Sequence, residues 1–272
     1  MKSQTIFIFS AFVLLASCDK QERRNHNNEK NNWVEKVVDK DSGPMRQKEV
    51  TGDFDEIEVS QAIEAEIIKA DVEKVVISAP ENIIDEVLVD NSGGNLHIHY
   101  KPGIRVMNSH NVSAKIYTKD FSKLNANSAA KITVKDKFVQ EKTNIEVSSA
   151  ASVSGDLEAN DFDISADSSS NFTGKVWAVD LDVDASSAAS INISGKAKNV
   201  EVTSSSGSSI SAEDVLADHV SAEASSGASV QISAAASIKA EASSGGSVNV
   251  YKKGNVTTIT KEESSGGSVS IQ

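Results

Sequence analysis

Two aspartate clusters have the clearest chemical potential in this 272-residue sequence. They are Asp161, Asp163 and Asp167, then Asp180, Asp182 and Asp184. Within residues 180–184 the aspartates alternate with apolar residues, so on a β-strand their carboxylates would share one outward face. Carboxylate oxygens are ligands that Ca2+ prefers, which makes Asp180, Asp182 and Asp184 calcium candidates. Paired carboxylates about 5–10 Å apart would also suit glycoside hydrolysis. The alternative is a solvated strand face, which the absence of a Gly-Gly-x-Gly-x-Asp pattern favours.

Aromatic and histidine side chains provide two further candidates. Trp177 lies just before the second cluster and could stack on a sugar ring, although we expect it to pack beneath a loop. His97 and His99 share one face of a predicted strand and could provide two metal ligands. A third ligand at fixed spacing is missing, so we expect ordinary exposed strand histidines and no metal.

Other catalytic patterns are missing from the sequence. The only arginines are Arg23, Arg24, Arg46 and Arg105, so an acidic substrate in the second half would meet lysines alone. No G-x-S-x-G elbow occurs, and no glycine-rich turn is followed by the Lys-Ser/Thr of a phosphate-binding loop. We therefore predict a protein that is not an enzyme and needs no cofactor.

The composition limits the class of partner. There are 39 acidic and 27 basic residues, which gives a formal net charge of −12. This balance argues against nucleic acid, because phosphate binding needs a basic surface. The single cysteine excludes a disulfide framework.

The N-terminal residues have the pattern of a secretory signal peptide. Residues 1–17 combine Lys2 with an apolar stretch of signal-peptide length, too short for a membrane-spanning helix. The stretch ends Leu15-Ala16-Ser17-Cys18, which resembles the bacterial lipobox and predicts lipidation of Cys18. Residues 18–48 are charged and rich in asparagine, which is typical of a flexible tether between a membrane anchor and a domain.

Alternation of apolar and polar residues begins at Glu49 and continues to Lys123. The enrichment in valine and isoleucine, with glycine and proline between the runs, predicts short strands joined by turns. The stretch Pro80–Glu86 could instead form one helical turn. We interpret residues 49–123 as the N-terminal, β-rich part of a larger β-fold.

Residues 124–272 contain an eightfold repeat. Its unit is Ser-Ser-(Ala/Gly)-(Ala/Gly)-Ser-apolar, and two of the copies are degenerate. The spacing between apolar anchors stays between 18 and 21 residues, and alternating residues flank each anchor. The anchors are Ile132, Val153, Phe172, Ile191, Ile210, Val230, Val248 and Val269.

This repeat predicts strand, tight turn, strand and a looser return that absorbs the variation in length. Stacking such units in parallel gives a β-solenoid, with right-handed crossover the expected hand. Small residues suit the corner because neighbouring coils lie about 4.8 Å apart. We expect glycine at the third and fourth unit positions to permit positive φ, and serine hydroxyls to form ladders along the stack.

The sequence also resembles a known family, the bacterial putative auto-transporter adhesin, head GIN domain family. The likeness covers Glu49 to Gln272 and implies a right-handed parallel β-helix similar to pectin-lyase-like folds, found mostly in lipoproteins of Bacteroidetes. It also implies a role in adhesion, with no established catalytic residues. Besides the lipobox and the repeats, the matching motifs are Gly52-Asp53-Phe54-Asp55-x-Ile57-x-Val59, Glu81-Asn82-Ile83, Leu96-His97-Ile98 and Lys119-Asp120-Phe121-x-Lys123-Leu124.

Together these observations predict a non-catalytic, lipid-anchored protein of the cell envelope at the outer membrane, on its periplasmic or surface face. Its expected partners are the membrane, through the anchor, and glycans or cell-surface proteins. Two alternatives stay open: a carbohydrate-active β-helix enzyme, and a periplasmic partner in envelope assembly or stress. The oligomeric state is left open.

Overall fold

The computed structural model describes residues 36–38, 43–106 and 111–272. The predicted signal peptide, Cys18 and most of the tether lie outside the described residues. Most of the described residues lie in β-strands, and a 3-10 turn spans Ile84–Glu86. The strands are β1 Lys36–Val38, β2 Met45–Thr51, β3 Glu56–Val59, β4 Glu64–Lys69, β5 Lys74–Pro80, β6 Val87–Ser92, β7 Asn95–Tyr100, β8 Ile104–Val106, β9 Ser113–Thr118, β10 Lys123–Ala126, β11 Lys131–Val134, β12 Phe138–Val147, β13 Ser152–Ala166, β14 Asn171–Ala185, β15 Ser190–Ser204, β16 Ser209–Ala224, β17 Ser229–Ala242, β18 Ser247–Lys252, β19 Thr258–Glu263 and β20 Ser268–Ile271.

The second half of the chain is a β-solenoid of about eight coils, which confirms the predicted fold class. Strands β13 to β17 each form nearly a whole coil, and each pairs in parallel with the next. Ser152 pairs with Asn171, and Asn171 pairs with Ser190, so one coil takes 19 residues there. Side chains of equivalent residues therefore form straight columns along the stack.

Each of these coils bends twice between tight turns. In β13 the buried residues are separated by one position that is not buried, except between Val153 and Leu157 and between Ala159 and Phe162. These two interruptions divide the coil into three straight segments. Between β13 and β14 the strand ladder continues through the expected looser return. In later coils the register shifts between Asn192 and Ser194 and between Ala212 and Leu216, so this part of the coil absorbs the variation in length as expected.

The tight turns carry left-handed residues at the expected third position and also at the second position, but not at the expected fourth position. In the turn Ser148–Ala151, φ is 52° at Ser149 and 62° at Ala150, and the Ala151 N–H donates to the Ser148 carbonyl at 3.1 Å. This arrangement is that of a type I′ turn. Positive φ thus falls on the second and third unit positions, and the fourth position, Ala151, is buried. The fourth position therefore requires a small residue and does not require positive φ.

Backbone groups, more than serine hydroxyls, link the turns along the stack. The Ala150 N–H donates to the Ser168 carbonyl of the next coil at 3.0 Å, and Ala188 donates to Ser206 at 3.1 Å in the same way. Among the described residues, hydroxyl pairs between turn-region serines form at Ser204–Ser208 and Ser209–Ser229, which falls short of the predicted ladder.

The N-terminal part stacks out of chain order. Strands β3 and β4 form a coil with a tight turn at Ser60–Ile63, where φ is 59° at both Gln61 and Ala62. On one side this coil pairs in parallel with β10 and β11, and on the other with β7 and β9. Strands β2, β5 and β6 add to this end antiparallel, as a cap.

The ordered fold begins before Glu49. Strand β2 starts at Met45, so residues 45–48 belong to the cap and not to the tether, because their backbone pairs with β5. Residues 36–38 pair in parallel with 104–106. The alternative of a helical turn within Pro80–Glu86 is confirmed by the 3-10 turn at Ile84–Glu86.

Valine, isoleucine, leucine, alanine and phenylalanine from successive coils form one continuous core. The largest fully buried side chains include Phe121, Phe138, Phe162 and Phe172. Within the described ranges, no helix has the length and apolarity needed to cross a membrane.

Candidate functional site

Four of the six predicted aspartates, namely Asp161, Asp163, Asp180 and Asp182, line an open groove on the last straight segment of the coils, here called the acidic groove. Asp161 pairs with Asp180, and Asp163 pairs with Asp182, so the two clusters lie on neighbouring coils. Glu201 continues the column of Asp163 and Asp182 on the next coil. The groove has a volume of about 480 Å3 and is also lined by Asn199 and His219.

Counter-charges reach only part of this groove. Lys142 bonds Asp161 at 2.9 Å and contacts Asp163 at 3.3 Å, and these two carboxylates raise the pKa of the lysine. The Asn199 amide donates to Asp180 at 2.7 Å. The charges of Asp161 and Asp180 are therefore compensated by hydrogen bonds and by one cation, Lys142.

Asp182 and Asp184 lie in a less favourable environment. Burial raises the pKa of the Asp182 carboxyl, and the nearby charges of Asp184, Glu201 and Asp163 raise it further. Burial and then the charges of Glu201 and Asp163 raise the pKa of Asp184. Parallel stacking adds the second, electrostatic contribution, because equivalent acidic residues of neighbouring coils lie about 5 Å apart.

No group of three or more His, Cys, Asp or Glu side chains in the described part of the chain is arranged to hold a metal ion. The structure aligns Asp180, Asp182 and Asp184 along one strand without converging their oxygens on a point. Calcium binding at these residues stays a prediction.

Trp177 lies on the outward side of β14, with its side chain 43% exposed. The expectation that it packs beneath a loop is therefore wrong. It lines an open groove of about 420 Å3 on the middle segment of the coils, here called the tryptophan groove. Lys175 and Lys196 line the same groove, and Leu157 and Val176 form its buried floor.

His97 and His99 stack on each other, with ring centroids 4.1 Å apart, and are half-buried rather than exposed. His99 Nδ1 donates to the Tyr100 carbonyl at 2.8 Å, and its Nε2 faces Asp90 at 3.0 Å. Burial lowers the pKa of His97, with an opposing effect of Glu58 and a smaller lowering from His99. This pair joins the hairpin of β6 and β7 to the coil of β3.

The contacts of His97 do not form a catalytic triad. Its Nε2 lies 3.1 Å from the Ser60 hydroxyl and 3.7 Å from Glu58. In a triad the carboxylate orients the histidine through the nitrogen opposite to the one that serves the serine. Here both contacts use the same nitrogen, so the arrangement is structural.

Sequence reasoning missed an uncharged surface on the first segment of the coils, here called the neutral face. Two columns of hydroxyl and amide side chains run along seven successive coils. Aligning the repeats on their apolar anchors would have found them, because these residues flank each anchor. They are Ser152, Ser154, Asn171, Thr173, Ser190, Asn192, Ser209, Ser211, Ser229, Gln231, Ser247, Asn249, Ser268 and Ser270.

Solved structures share this fold. A putative adhesin from Parabacteroides merdae superposes with a TM-score of 0.74 at 19% identity, covering 82% of this chain and 96% of that one. A putative adhesin from Parabacteroides distasonis gives 0.76 at 19% identity, covering 85% and 98%. A putative lipid binding protein from the same species gives 0.74 at 20% identity, covering 85% and 97%. At these identities the likeness shows the fold alone.

A search of curated proteins finds no significant match. The family model described as putative auto-transporter adhesin, head GIN domain, matches residues 53–254. That range includes both grooves, the cap strands β5 and β6 and all coil strands before β19, and it confirms the resemblance seen in the sequence. The chain belongs to the putative auto-transporter adhesin, head GIN domain family.

Proposed function

We propose that this protein is a non-catalytic binding protein of the cell envelope that adheres through the long sides of its solenoid. The observation that carries the proposal is the straight columns of outward side chains, above all the neutral face. Hydroxyl and amide groups repeated at each coil, about 4.8 Å apart, can make many equivalent weak contacts with a glycan or a surface protein.

The lipid anchor is part of this proposal. The lipobox-like end of the leader places Cys18 where a diacylglycerol would be attached, and the charged segment after it would act as the tether. Acyl burial contributes about 0.8 kcal/mol per CH2 group, so more than one chain would hold the protein firmly at the outer membrane.

Cell fractionation tests the anchor. Cells that produce the full chain should carry it in the outer membrane fraction, whereas cells that produce Cys18→Ser should not. An unchanged distribution of Cys18→Ser contradicts lipidation at this residue.

Adherence of the same cells to immobilised mucus and matrix glycans tests the binding role. We expect adherence to fall when the gene is deleted and to return with the full chain but not with Cys18→Ser. Protease treatment of intact cells separates the two envelope locations. If the chain resists protease and cells that lack the chain adhere normally, the protein is not a surface adhesin. That result fits a periplasmic role in envelope assembly or stress.

The acidic groove favours a second candidate function, a carbohydrate-active enzyme. The pKa of Asp182 and of Asp184 is raised, the direction expected of an acid catalyst, and successive coils about 4.8 Å apart bring the carboxylates of one column near the separation of about 5 Å used by retaining glycosidases. Turnover of a polysaccharide by the purified chain, lost in Asp182→Asn but kept in Asp218→Asn, would establish this function in place of the first.

A further inference from the structure

Exposed apolar side chains recur at every second coil in one column of the middle segment. Val139, Trp177 and Leu216 are 61%, 43% and 42% exposed. Glu158 and Lys196 occupy the coils between them, and all five residues are in register. At a coil spacing of about 4.8 Å, an apolar group therefore appears about every 10 Å along the surface. These side chains contribute little to the core, so the fold does not explain them.

The tryptophan groove lies at the centre of this column. Its floor is formed by the buried side chains of Leu157 and Val176, and Trp177 stands beside that floor. Gly195 lies in register with Val176 and lines the next coil. A Cβ at Gly195 would collide with the Val176 carbonyl oxygen, so glycine lets the two coils approach closely at the side of the groove. No hydrogen bond or cation–π contact involves the indole among the described residues, so its face and its N–H are available to a ligand.

The groove is lined by three lysines and two carboxylates, so it holds one cation more than it holds anions. Lys137 pairs with Glu158 at 2.5 Å. Asp156 accepts a hydrogen bond from the backbone N–H of Lys175 at 3.3 Å. Neither Lys175 nor Lys196 forms an ion pair with another residue in the described ranges, and both line the groove. In a chain of net charge −12, a groove with more cations than anions marks a site for an anionic ligand.

We propose that the tryptophan groove binds an acidic saccharide, a sugar that carries a carboxylate or a sulfate. The apolar face of a pyranose ring would stack on the indole of Trp177, whose N–H can donate to a ring hydroxyl. The anionic group would lie between the ammonium groups of Lys175 and Lys196, which act as point charges. A longer glycan would continue along the column to Leu216 or Val139. This site rests on the proposed binding function and names its ligand class.

Calorimetry on the purified full chain tests the ligand class. The probes are a galacturonate hexamer, a chondroitin sulfate hexamer and neutral maltohexaose. We expect one or both acidic probes to bind at least about tenfold more tightly than maltohexaose, and their binding to weaken as salt is raised. The two acidic probes distinguish carboxylate from sulfate recognition. Equal binding of the neutral and acidic probes, or no binding of either acidic one, overturns the proposal.

Substitutions locate the site. Trp177→Ala and the double variant Lys175→Gln/Lys196→Gln should each weaken binding of the acidic probe by about tenfold. Lys198→Gln is the matched control, because this exposed lysine lies two residues beyond Lys196 on β15 but does not line the groove. Thermal melting should show all variants folded. Unchanged affinity in folded Trp177→Ala overturns the site.

A second readout reports on the indole directly. In a chain that carries Trp33→Phe, Trp177 is the only tryptophan, so the acidic hexamer should change its fluorescence. Cells that adhere while the purified chain ignores both acidic hexamers would overturn this site and leave adhesion standing. A purified chain that binds them while cells fail to adhere would overturn adhesion and leave the site standing.

Discussion

At the scale of single residues, the tight turns hold side chains in a backbone conformation that L-residues adopt reluctantly. Left-handed backbone costs a residue other than glycine about 1–2 kcal/mol. Ser187 and Ala188 nevertheless adopt φ of 51° and 63°. In return, the turn bonds the next coil through the Ala188 N–H and buries the small residue that follows, Ala189. The third turn position is Ala or Ser in the first four repeats and Gly in the last four.

This difference between the repeats allows a test. Ala188→Gly should raise the free energy of unfolding by about 0.5–1 kcal/mol, because glycine relieves the left-handed strain. The larger conformational entropy of glycine in the unfolded chain offsets part of this gain. Gly207→Ala, at φ of 72° with open space around a Cβ, should lower it by a similar amount. Urea unfolding measures both changes. Two shifts of the same sign would contradict the strain argument.

At the scale of elements, parallel stacking turns each outward residue into a member of a column. The column of Asp163, Asp182 and Glu201 gathers three negative charges, with Lys142 at one edge of the groove. The same geometry aligns Val139, Trp177 and Leu216. A column therefore concentrates whatever chemistry the repeat places in it, whether repulsive or adhesive.

The acidic column predicts a specific dependence of stability on pH. The pKa of Asp182 is raised in the folded protein, chiefly by burial, so the folded state binds more protons than the unfolded state above the ordinary carboxyl value of 3.8. The free energy of unfolding should therefore rise as pH falls through the folded pKa of Asp182. At neutral pH the ionised carboxylate should destabilise the folded state to its full extent. Asp182→Asn should stabilise the protein at pH 7 by up to about 1 kcal/mol, since the site is partly open to solvent.

Thermal or urea unfolding between pH 3.5 and pH 7 measures this effect. The advantage of Asp182→Asn should shrink toward low pH and vanish near pH 3.5. Asp218→Asn, for a carboxyl outside the acidic groove, is the control. An advantage that stays constant across this range would contradict the ionised Asp182 carboxylate as its cause.

At the scale of the whole molecule, coils interact with their immediate neighbours, and the antiparallel cap of β2, β5 and β6 covers the N-terminal end of the stack. In such an architecture stability is roughly the sum of coil and interface contributions. The number of coils should therefore be adjustable as long as the register is preserved.

Removing one coil tests this modularity. Deletion of residues 190–208 joins Ala189 to Ser209, which takes the register position of Ser190. The shortened chain should unfold cooperatively at a lower urea midpoint, with an m-value reduced in proportion to the surface lost. Deletion of residues 190–199 instead joins Ala189 to Val200 and breaks the register, so it should abolish cooperative unfolding. Equal behaviour of the two deletions would contradict a modular stack.

The sequence by itself determined the solenoid, its coil length and its corners. Alternation around anchors such as Val153 and Ile191 and the recurring small-residue turns are local signals, and repetition made them unambiguous. The aspartate faces were also predictable, because spacing near 19 residues implies alignment of Asp163 with Asp182.

Only the tertiary structure decided how distant segments meet. It placed β3 between β7 and β10 and β4 between β9 and β11. It started the cap at Met45 and put positive φ on residues such as Ser149. It also exposed Trp177 and aligned it with Val139 and Leu216. The physical reason is that pairing between coils depends on how many residues each bend absorbs and on long-range strand contacts, and a local pattern of apolar residues contains neither.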